Sequence, residues 1–445
     1  MTRRETVFKS YNEQREMCEE RIRSGIELNR KTYAHLSFVD KDKKPLKNVK
    51  FSASLADHEY KFGCNLFMLD EFESQEKNEK YRKIFADAFN YAVVPFYWNT
   101  LEPEKGKPRY EKSSPRVYRR PTPDLCVEYC KQNGIRMKGH CLVYDAFSPA
   151  WLPDDPALVW KEYDRHFGEI AQRYKNDIHD WDIVNEAISW PAYKNDNPGM
   201  TAIFCDRRFV EKCFELGRRH FPTNNLFLNE AAGIWERFRF DRSYFYLLLE
   251  RYANAQVSFD SIGMQMHMFQ PRDKEMEWGA LRYNPQKVYD VLDTYGEFNR
   301  PLHISEITLP TYNGGPEDEE IQAQLLSMLY RIWFSHKATD GIVYWNLVDG
   351  YAHGAPIGAL DKGENVYGGG LLNFDLSEKP AFKEMKRLIK EEWTTKVSDI
   401  SDEGGKATFR GFKGKYKLTY FVDGKQYDTE FSVTDNAAQT QIVVE

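Results

Sequence analysis

Two glutamates that end apolar segments are the residues best placed for chemistry in this sequence. Glu186 closes the run Trp181-Asp-Ile-Val-Asn-Glu, and Glu306 closes His303-Ile-Ser-Glu, 120 residues later. A pair of carboxyl groups across a cleft can hydrolyse a glycosidic bond. One donates a proton to the leaving oxygen, while the other attacks the anomeric carbon or activates water. Either glutamate alone would more often be a solvated surface acid, so the hypothesis requires a fold that brings the two together.

The segments between residues 59 and 396 predict such a fold. Eight short apolar runs alternate with amphipathic stretches, as strands alternate with helices in α/β proteins. The predicted strands are 60–67, 91–98, 136–144, 178–185, 225–229, 261–266, 302–307 and 341–346. The predicted helices are 76–89, 123–133, 156–174, 207–220, 240–253, 285–295, 318–336 and 381–393. Eight such units favour a (β/α)8 TIM barrel. A doubly wound open sheet is the alternative, but residues 63–68 do not resemble its usual glycine-rich phosphate loop.

In a TIM barrel the active site lies at the C-terminal ends of the strands. Six of the predicted strands end in polar or aromatic residues, which are His140, Asn185 with Glu186, Glu230, Gln265 with His267, Glu306 and Trp345. The barrel therefore predicts that both glutamates reach one rim. Asn185 is then placed to hold the sugar 2-hydroxyl, a contact that strengthens in the transition state.

Several of these residues have a structural interpretation as well. From the residues alone, His140 and His267 fit satisfied core histidines, and Trp345 fits a core side chain. Glu230 either lines the cleft or caps the next helix. Asp182 is expected to support a hydrogen-bond network inside the barrel rather than to face the cleft.

The two ends of the chain predict a small second unit. Residues 5–30 have helical spacing, and residues 34–54 alternate on both sides of a polar turn, which predicts a hairpin. Residues 407–445 contain further period-two runs separated by glycine. A lone hairpin is marginal in water, so we expect both ends to form one β-sandwich. The predicted divisions are 1–58, 59–396 and 397–445, with the last serving as scaffold.

Composition narrows the function classes. The 62 basic and 68 acidic side chains leave a net charge of −6, which argues against a nucleic-acid partner. No apolar run reaches the roughly 20 residues of a membrane helix, and Met1–Phe8 does not resemble a signal peptide. The seven cysteines are odd in number and scattered, so we expect structural thiols rather than disulfides or a metal site. No cofactor is implied.

Several motifs resemble those of glycoside hydrolase family 10, best known for endo-β-1,4-xylanases. The run from Trp181 to Ala187 is similar to the family's acid/base motif, and the run from His303 to Ile307 to its nucleophile motif. Three further motifs agree, namely Lys138-Gly-His-Cys-Leu-Val, Gly263-Met-Gln-Met-His and Val343-Tyr-Trp. The resemblance extends over residues 62–393, with the motifs in the family's order.

The resemblance implies a retaining double displacement with Glu186 as acid/base and Glu306 as nucleophile. It also implies that His140 and Asn185 bind the sugar at the cleavage subsite. By the same resemblance His267 orients Glu306, helped by Gln265, and Trp345 stacks over the sugar ring. No metal or cofactor is implied.

The chain departs from the family where the non-reducing side of the substrate should bind. Residues 94–98 lack the acid, amide and lysine of the family's usual Glu-Asn and Lys-Trp, and Tyr144-Asp145 replaces a Trp-His. We therefore predict an altered subsite formed by Tyr97, Trp98, Tyr144 and Asp145, with plain packing at the top of the barrel as the alternative for these four side chains. The expected activity is an endo-β-1,4-xylanase on xylan or decorated xylan. The alternatives are a β-glycosidase with non-xylan or exo specificity, and a binding protein that has lost catalysis.

The resemblance also suggests a setting for the protein. Its partner is expected to be a β-linked polysaccharide or oligosaccharide, and the chain is expected to be a monomer. Because enzymes of this family that degrade polymers work outside the cytoplasm, we expect a secreted, periplasmic or cell-surface protein whose signal has been removed. The chain as printed shows no signal, so a cytoplasmic protein is the alternative.

Overall fold

The computed structural model describes residues 1–188, 203, 206–236, 243–435 and 439–444. The N-terminal part forms three helices followed by two strands, which are α1 (Arg3–Val7), α2 (Lys9–Glu13), α3 (Arg15–Arg30), β1 (Lys31–Asp40) and β2 (Lys50–His58). The single helix predicted over residues 5–30 is therefore interrupted twice. Its long last segment buries Cys18, Ile22 and Ile26, whose spacing of four places them on one helix face.

Eight parallel strands close into a barrel, and all eight predicted strands are present. They are β3 (Lys61–Asn65), β4 (Tyr91–Pro95), β5 (Arg136–His140), β6 (Asp180–Asn185), β7 (Asn225–Glu230), β8 (Ser261–His267), β9 (Leu302–Thr308) and β10 (Thr339–Tyr344). The first strand pairs with the last, so the sheet has no edge. The TIM barrel is thus confirmed, and the doubly wound open sheet is excluded.

The predicted helices follow the strands, with two short additions. The helices are α4 (Gln75–Ala88), α5 (Trp98–Leu101), α6 (Pro123–Gln132), α7 (Pro156–Tyr174), α8 (Phe209–His220), α9 (Tyr244–Asn254), α10 (Glu275–Arg282), α11 (Pro285–Gly296), α12 (Pro316–Ser335) and α13 (Pro380–Arg387). Proline, whose fixed φ suits the first turn, begins α6, α7, α11, α12 and α13. The start predicted for α9, residues 240–242, lies outside the described residues. None of the described helices is long and apolar enough to cross a bilayer.

The two ends of the chain supply the strands of two small sheets. The C-terminal strands are β11 (Lys396–Ile400), β12 (Lys406–Phe412), β13 (Gly414–Val422), β14 (Lys425–Val433) and β15 (Thr440–Val444). One sheet has the order β12-β1-β15 and the other β11-β2-β13-β14. Their inner faces share a hydrophobic core, in which the Phe38 and Phe51 rings lie 5.6 Å apart.

The predicted pairing of β1 with β2 as a hairpin is wrong, although a single antiparallel bridge joins Val39 and Pro45 at the turn. β1 pairs with β12 and β15, whereas β2 pairs with β11 and β13, so the two strands lie in different sheets. The physical reason is that Leu36 and Phe38 on β1 and Phe51 on β2 all bury their side chains in the same core. A connection over residues 41–49 is long enough to carry the chain from one sheet to the facing one.

Candidate active site

A cavity of about 310 Å³ opens at the C-terminal ends of the barrel strands. Nine of the eleven residues predicted for the site line it, which are Tyr97, His140, Tyr144, Asn185, Glu186, Gln265, His267, Glu306 and Trp345. The barrel closure explains this convergence, because parallel strands deliver all their C-terminal ends to one rim. Glu186 and Glu306, far apart in sequence, face the same space.

Glu306 is the buried member of the carboxyl pair, with only 3% of its surface exposed. The Asn229 amide donates to its Oε1 at 2.8 Å, and His267 Nε2 lies 3.2 Å from its Oε2. Burial raises the pKa of Glu306 to about 8, and the negative charge of Glu186 adds to the rise. In the free site, burial thus favours the protonated form of the Glu306 carboxyl group.

His267 is the imidazole that faces Glu306. Burial lowers the pKa of His267 to about 4, so the ring is neutral near pH 7 and carries one N–H. Its Nδ1 lies 2.9 Å from Thr308 Oγ1. When the hydroxyl of Thr308 donates to Nδ1, the ring proton resides on Nε2 and is donated to Glu306. This arrangement stabilises the ionised carboxylate.

Glu186 is the more accessible member of the pair. The Tyr144 hydroxyl donates to its Oε2 at 2.7 Å, and the Gln265 amide donates to its Oε1 at 3.0 Å. Its backbone has φ 55°, in the left-handed region that non-glycine residues rarely adopt. The Glu186 N–H donates to Asn229 O at 2.9 Å, which holds this conformation. Residues with such backbone angles cluster at functional sites.

Asn229 joins the two halves of the site and is a residue that the sequence reasoning missed. Its amide donates to Asn185 Oδ1 at 2.7 Å as well as to Glu306. Asn229 lies at the C-terminal end of β7, where a polar side chain is expected to reach the barrel mouth. The sequence prediction at this strand end named only its neighbour Glu230. Glu230 instead accepts backbone N–H bonds from Ile188 and Ala231, so it neither lines the cavity nor caps a helix.

Asp182 belongs to a network inside the barrel, as predicted. Its carboxylate lies 2.8 Å from both Lys138 Nζ and His140 Nδ1, and all three side chains are fully buried. Burial alone would raise the pKa of Asp182, but the Lys138 charge and the His140 hydrogen bond lower it. The network fixes the His140 ring so that Nε2 points to the Tyr97 hydroxyl, 3.1 Å away.

Aromatic rings form one wall of the cavity. Tyr97 packs on Phe147 at 4.8 Å between centroids and lies 6.3 Å from Tyr144. Phe67 meets Trp345 edge to face at 5.3 Å. The subsite that lost its usual polar residues is thus lined by rings.

Two predicted subsite residues, Trp98 and Asp145, lie outside the cavity lining. Trp98 begins α5, and the helical turn directs its indole into the core, where it stacks on His166 at 4.0 Å and donates to Glu102. Asp145 begins a 3₁₀ turn and is 3% exposed. The strand predicted over residues 91–98 would have directed alternate side chains to the barrel mouth. Because β4 ends at Pro95, that alternation does not extend to Trp98.

We expect Trp98→Phe to affect stability and Tyr97→Phe to affect substrate binding. Trp98→Phe removes core contacts and should lower the free energy of unfolding by about 1–2 kcal/mol, with KM changed less than about twofold. Tyr97→Phe removes the hydroxyl that faces His140 and should raise KM about threefold to tenfold. Thermal unfolding and steady-state kinetics measure both effects. Equal changes in KM would contradict the placement of Trp98.

Other cavity residues come from the loops and from α10, and none of them was predicted as a site residue. They are Phe67, Arg119, Arg120, Phe147, Ala231, Phe269, Trp278, Arg282, His353 and Glu364. Within the described residues no cluster of three or more His, Cys, Asp or Glu is arranged to hold a metal. The six described cysteines are buried and form no disulfide, while Cys205 lies outside the described residues.

The comparison with protein families identifies this barrel. A model described as "Glycosyl hydrolase family 10" matches residues 54–387, most of the chain. The chain belongs to glycosyl hydrolase family 10. The match includes every strand of the barrel and both glutamates of the site.

The chain is similar to proteins that carry different names. It is 26% identical to the anti-sigma-I factor RsgI6 of Acetivibrio thermocellus, over 89% of this chain and 46% of that protein. It is 24% identical to an endo-1,4-beta-xylanase/feruloyl esterase of Xylanibacter ruminicola, over 59% of this chain and 40% of that protein. It is 26% identical to a beta-1,4-xylanase of Dictyoglomus thermophilum, over 57% of this chain and 72% of that protein. The chain thus spans less than half the length of the first two relatives.

Solved structures of this family share the barrel fold. The GH10 structure from Paenibacillus barcinonensis superposes with a TM-score of 0.57 at 19% identity, covering 75% of this chain and 95% of that one. Native xylanase 10B from Thermotoga maritima superposes with a TM-score of 0.57 at 17% identity, covering 75% of this chain and 96% of that one.

Proposed function

We propose that the chain is a retaining glycoside hydrolase of β-linked plant polysaccharide, acting as an endo-β-1,4-xylanase on xylan or decorated xylan. The observation that carries the proposal is the meeting of Glu186 and Glu306 in one cavity at the barrel mouth. Membership of family 10 and the relatives named as xylanases support the same activity.

In the proposed first step Glu306 attacks the anomeric carbon and Glu186 protonates the leaving oxygen. The glycosyl–enzyme ester then reacts with water, from which Glu186 removes a proton, so the product retains its β configuration. The proton lost from water returns Glu186 to its acid form. Donors from Asn229 and His267 stabilise the carboxylate of Glu306 before attack and when it leaves.

The negative charge of Glu186 raises the pKa of Glu306, so the two carboxyl groups of the site interact. Catalysis requires the form in which the pair holds one proton and that proton resides on Glu186. Burial opposes this form by raising the pKa of Glu306. The hydrogen bonds from Asn229 and neutral His267 act against burial and stabilise the ionised Glu306 that the form requires. Tyr144, which donates to Glu186 Oε2, orients the acid.

The sugar at the cleavage point would lie between His140, Asn185 and Trp345. Because these side chains are buried and held by their neighbours, the subsite is pre-formed. Tyr97 and Tyr144 supply stacking surface and hydroxyl groups in place of the family's usual polar residues. We also propose that the protein is a monomer and works outside the cytoplasm, where its polymeric substrate is found.

Product analysis tests the proposal. The protein is incubated with xylan, arabinoxylan, glucuronoxylan, mixed-linkage glucan and mannan, and soluble products are separated by chromatography. Release of short xylo-oligosaccharides is the expected result. Release only of terminal sugars would favour exo cleavage. Binding of a glycan without any product would favour a carbohydrate-binding protein that has lost catalysis.

A further inference from the structure

Two arginines that line the cavity have no carboxylate partner among the residues that the structure describes. Arg119 and Arg120 are 6% and 8% exposed. Arg119 donates to the main-chain oxygen of Tyr351 and to Asn346 Oδ1 at 3.3 Å, and Arg120 Nη1 donates to Arg119 O at 2.9 Å. In the described part of the chain neither guanidinium forms an ion pair within 4.0 Å. The Nε atoms of both are buried without a hydrogen bond.

Buried guanidinium groups are normally paired, because removing a charge from water is costly. The same cavity offers a comparison, since Arg282 is equally buried and pairs with Glu236 at 2.5 Å. Burial lowers the pKa of Arg120 to about 10, so the group remains charged at neutral pH. The charge of Glu364 favours this cation, but its carboxylate accepts from Asn346 rather than from Arg120.

The faces of aromatic rings partly stabilise the Arg120 cation. Its guanidinium lies 4.0 Å from the Tyr97 ring centroid and 5.2 Å from that of Phe67. Because Tyr97 also contacts His140, the arginine lies beside the proposed cleavage subsite. A ligand held by Arg120 would therefore be part of the sugar bound there, or of its neighbour on the non-reducing side.

Two rings from different loops approach each other at the arginine side of the cavity. The Phe147 and His353 rings approach to 6.1 Å, although they come from the loops after β5 and β10. In the barrel, β3 and β4 lie between these two strands. The contact therefore crosses the C-terminal ends of β3 and β4, which Phe67 and Tyr97 follow in sequence. Because Arg119 and Arg120 are themselves buried, solvent screens their charges only weakly.

We propose that Arg119 and Arg120 bind an oxyanion carried by the glycan, either the carboxylate of a uronic acid or a sulfate ester. A planar guanidinium suits both groups, since it donates two parallel N–H bonds. Neutral xylan would leave both arginines without a counter-charge. This inference rests on the proposed function only in taking a glycan as the ligand, and it assigns an acidic sugar as the preferred substrate class.

Calorimetry with the full chain carrying Glu306→Gln tests this site without turnover. The probes are a neutral xylo-oligosaccharide, the same oligosaccharide bearing one glucuronic acid, and the same oligosaccharide bearing one sulfate. We expect at least one acidic probe to bind about tenfold more tightly than the neutral one. Adding Arg120→Met should remove that preference, whereas Arg120→Lys should keep part of it. Arg116→Met is the matched control, because Arg116 lies in the same loop but pairs with Glu71.

Equal binding of neutral and acidic probes, or a preference that survives Arg120→Met, would overturn the site. A preference for only one acidic probe identifies the source of the anion. Circular dichroism checks the fold of each variant, and Arg119→Met replaces Arg120→Met if the latter does not fold. Hydrolysis of neutral xylan by the wild type is measured separately. Hydrolysis without an acid preference removes only this inference, and an acid preference without hydrolysis removes only the proposed activity.

Discussion

Replacing Glu306 with glutamine is expected to reduce turnover of every glycoside to below about a hundredth of the wild-type rate. The amide has the shape of the carboxyl group but cannot form the glycosyl–enzyme ester. Initial rates on both polymer and activated aryl glycosides measure the loss. Residual activity above that level on any substrate would show that Glu306 is not the nucleophile.

The same substitution should stabilise the protein increasingly as the pH rises. Burial raises the pKa of Glu306 from its usual 4.5 to about 8. Between these values the native state holds a proton that the unfolded chain has lost. The contribution of protonated Glu306 to the free energy of unfolding is therefore complete below about pH 4.5, and it is lost as the pH rises through 8. Glutamine stays neutral, so the variant avoids this loss.

Thermal unfolding of both proteins from pH 5 to pH 8.5 measures that effect. The variant's gain in free energy of unfolding should grow across this range by an amount on the order of a few kcal/mol. Glu317→Gln is the control, because its side chain is 70% exposed on α12. A difference between Glu306→Gln and wild type that stays constant with pH would contradict the raised pKa.

Replacing Glu186 with alanine should separate substrates by their leaving group. Hydrolysis of natural glycans should fall about 10²–10⁴-fold, because the leaving oxygen is no longer protonated. Aryl glycosides with good leaving groups need no such proton, so the first step should remain fast and the ester should accumulate. A burst of released phenol, followed by slow turnover, is the expected time course.

Added azide supplies a further check on Glu186. Azide needs no general base, so it should accelerate breakdown of the accumulated ester and yield a β-glycosyl azide. Gln265→Ala provides a comparison, since the Gln265 amide donates to the Glu186 carboxylate and to Asn185 Oδ1 without itself supplying a proton to the leaving group. That variant should slow both substrate classes similarly. Equal losses on natural and activated substrates with Glu186→Ala would count against its role as the acid.

The fold could be predicted largely because its signals are local. Each barrel strand is a short apolar run and each helix a periodic one, so the order of elements alone favours a barrel. Pairing is not local, which is why the N-terminal hairpin was wrong. β1 and β2 have the alternation of hairpin strands, yet both bury their apolar faces in one core and therefore occupy facing sheets.

The sequence by itself determined the chemistry of the site, since Glu186 and Glu306 end strands whose C-terminal ends must converge in a closed barrel. Only the tertiary structure decided which other side chains line the cavity around the two glutamates. The turn of α5 buries Trp98 in the core. Arg119 and Arg120 reach the cavity from a loop whose path no periodic pattern encodes. Side-chain direction beyond a strand end depends on the backbone of the following loop, and that backbone is fixed by packing with distant segments.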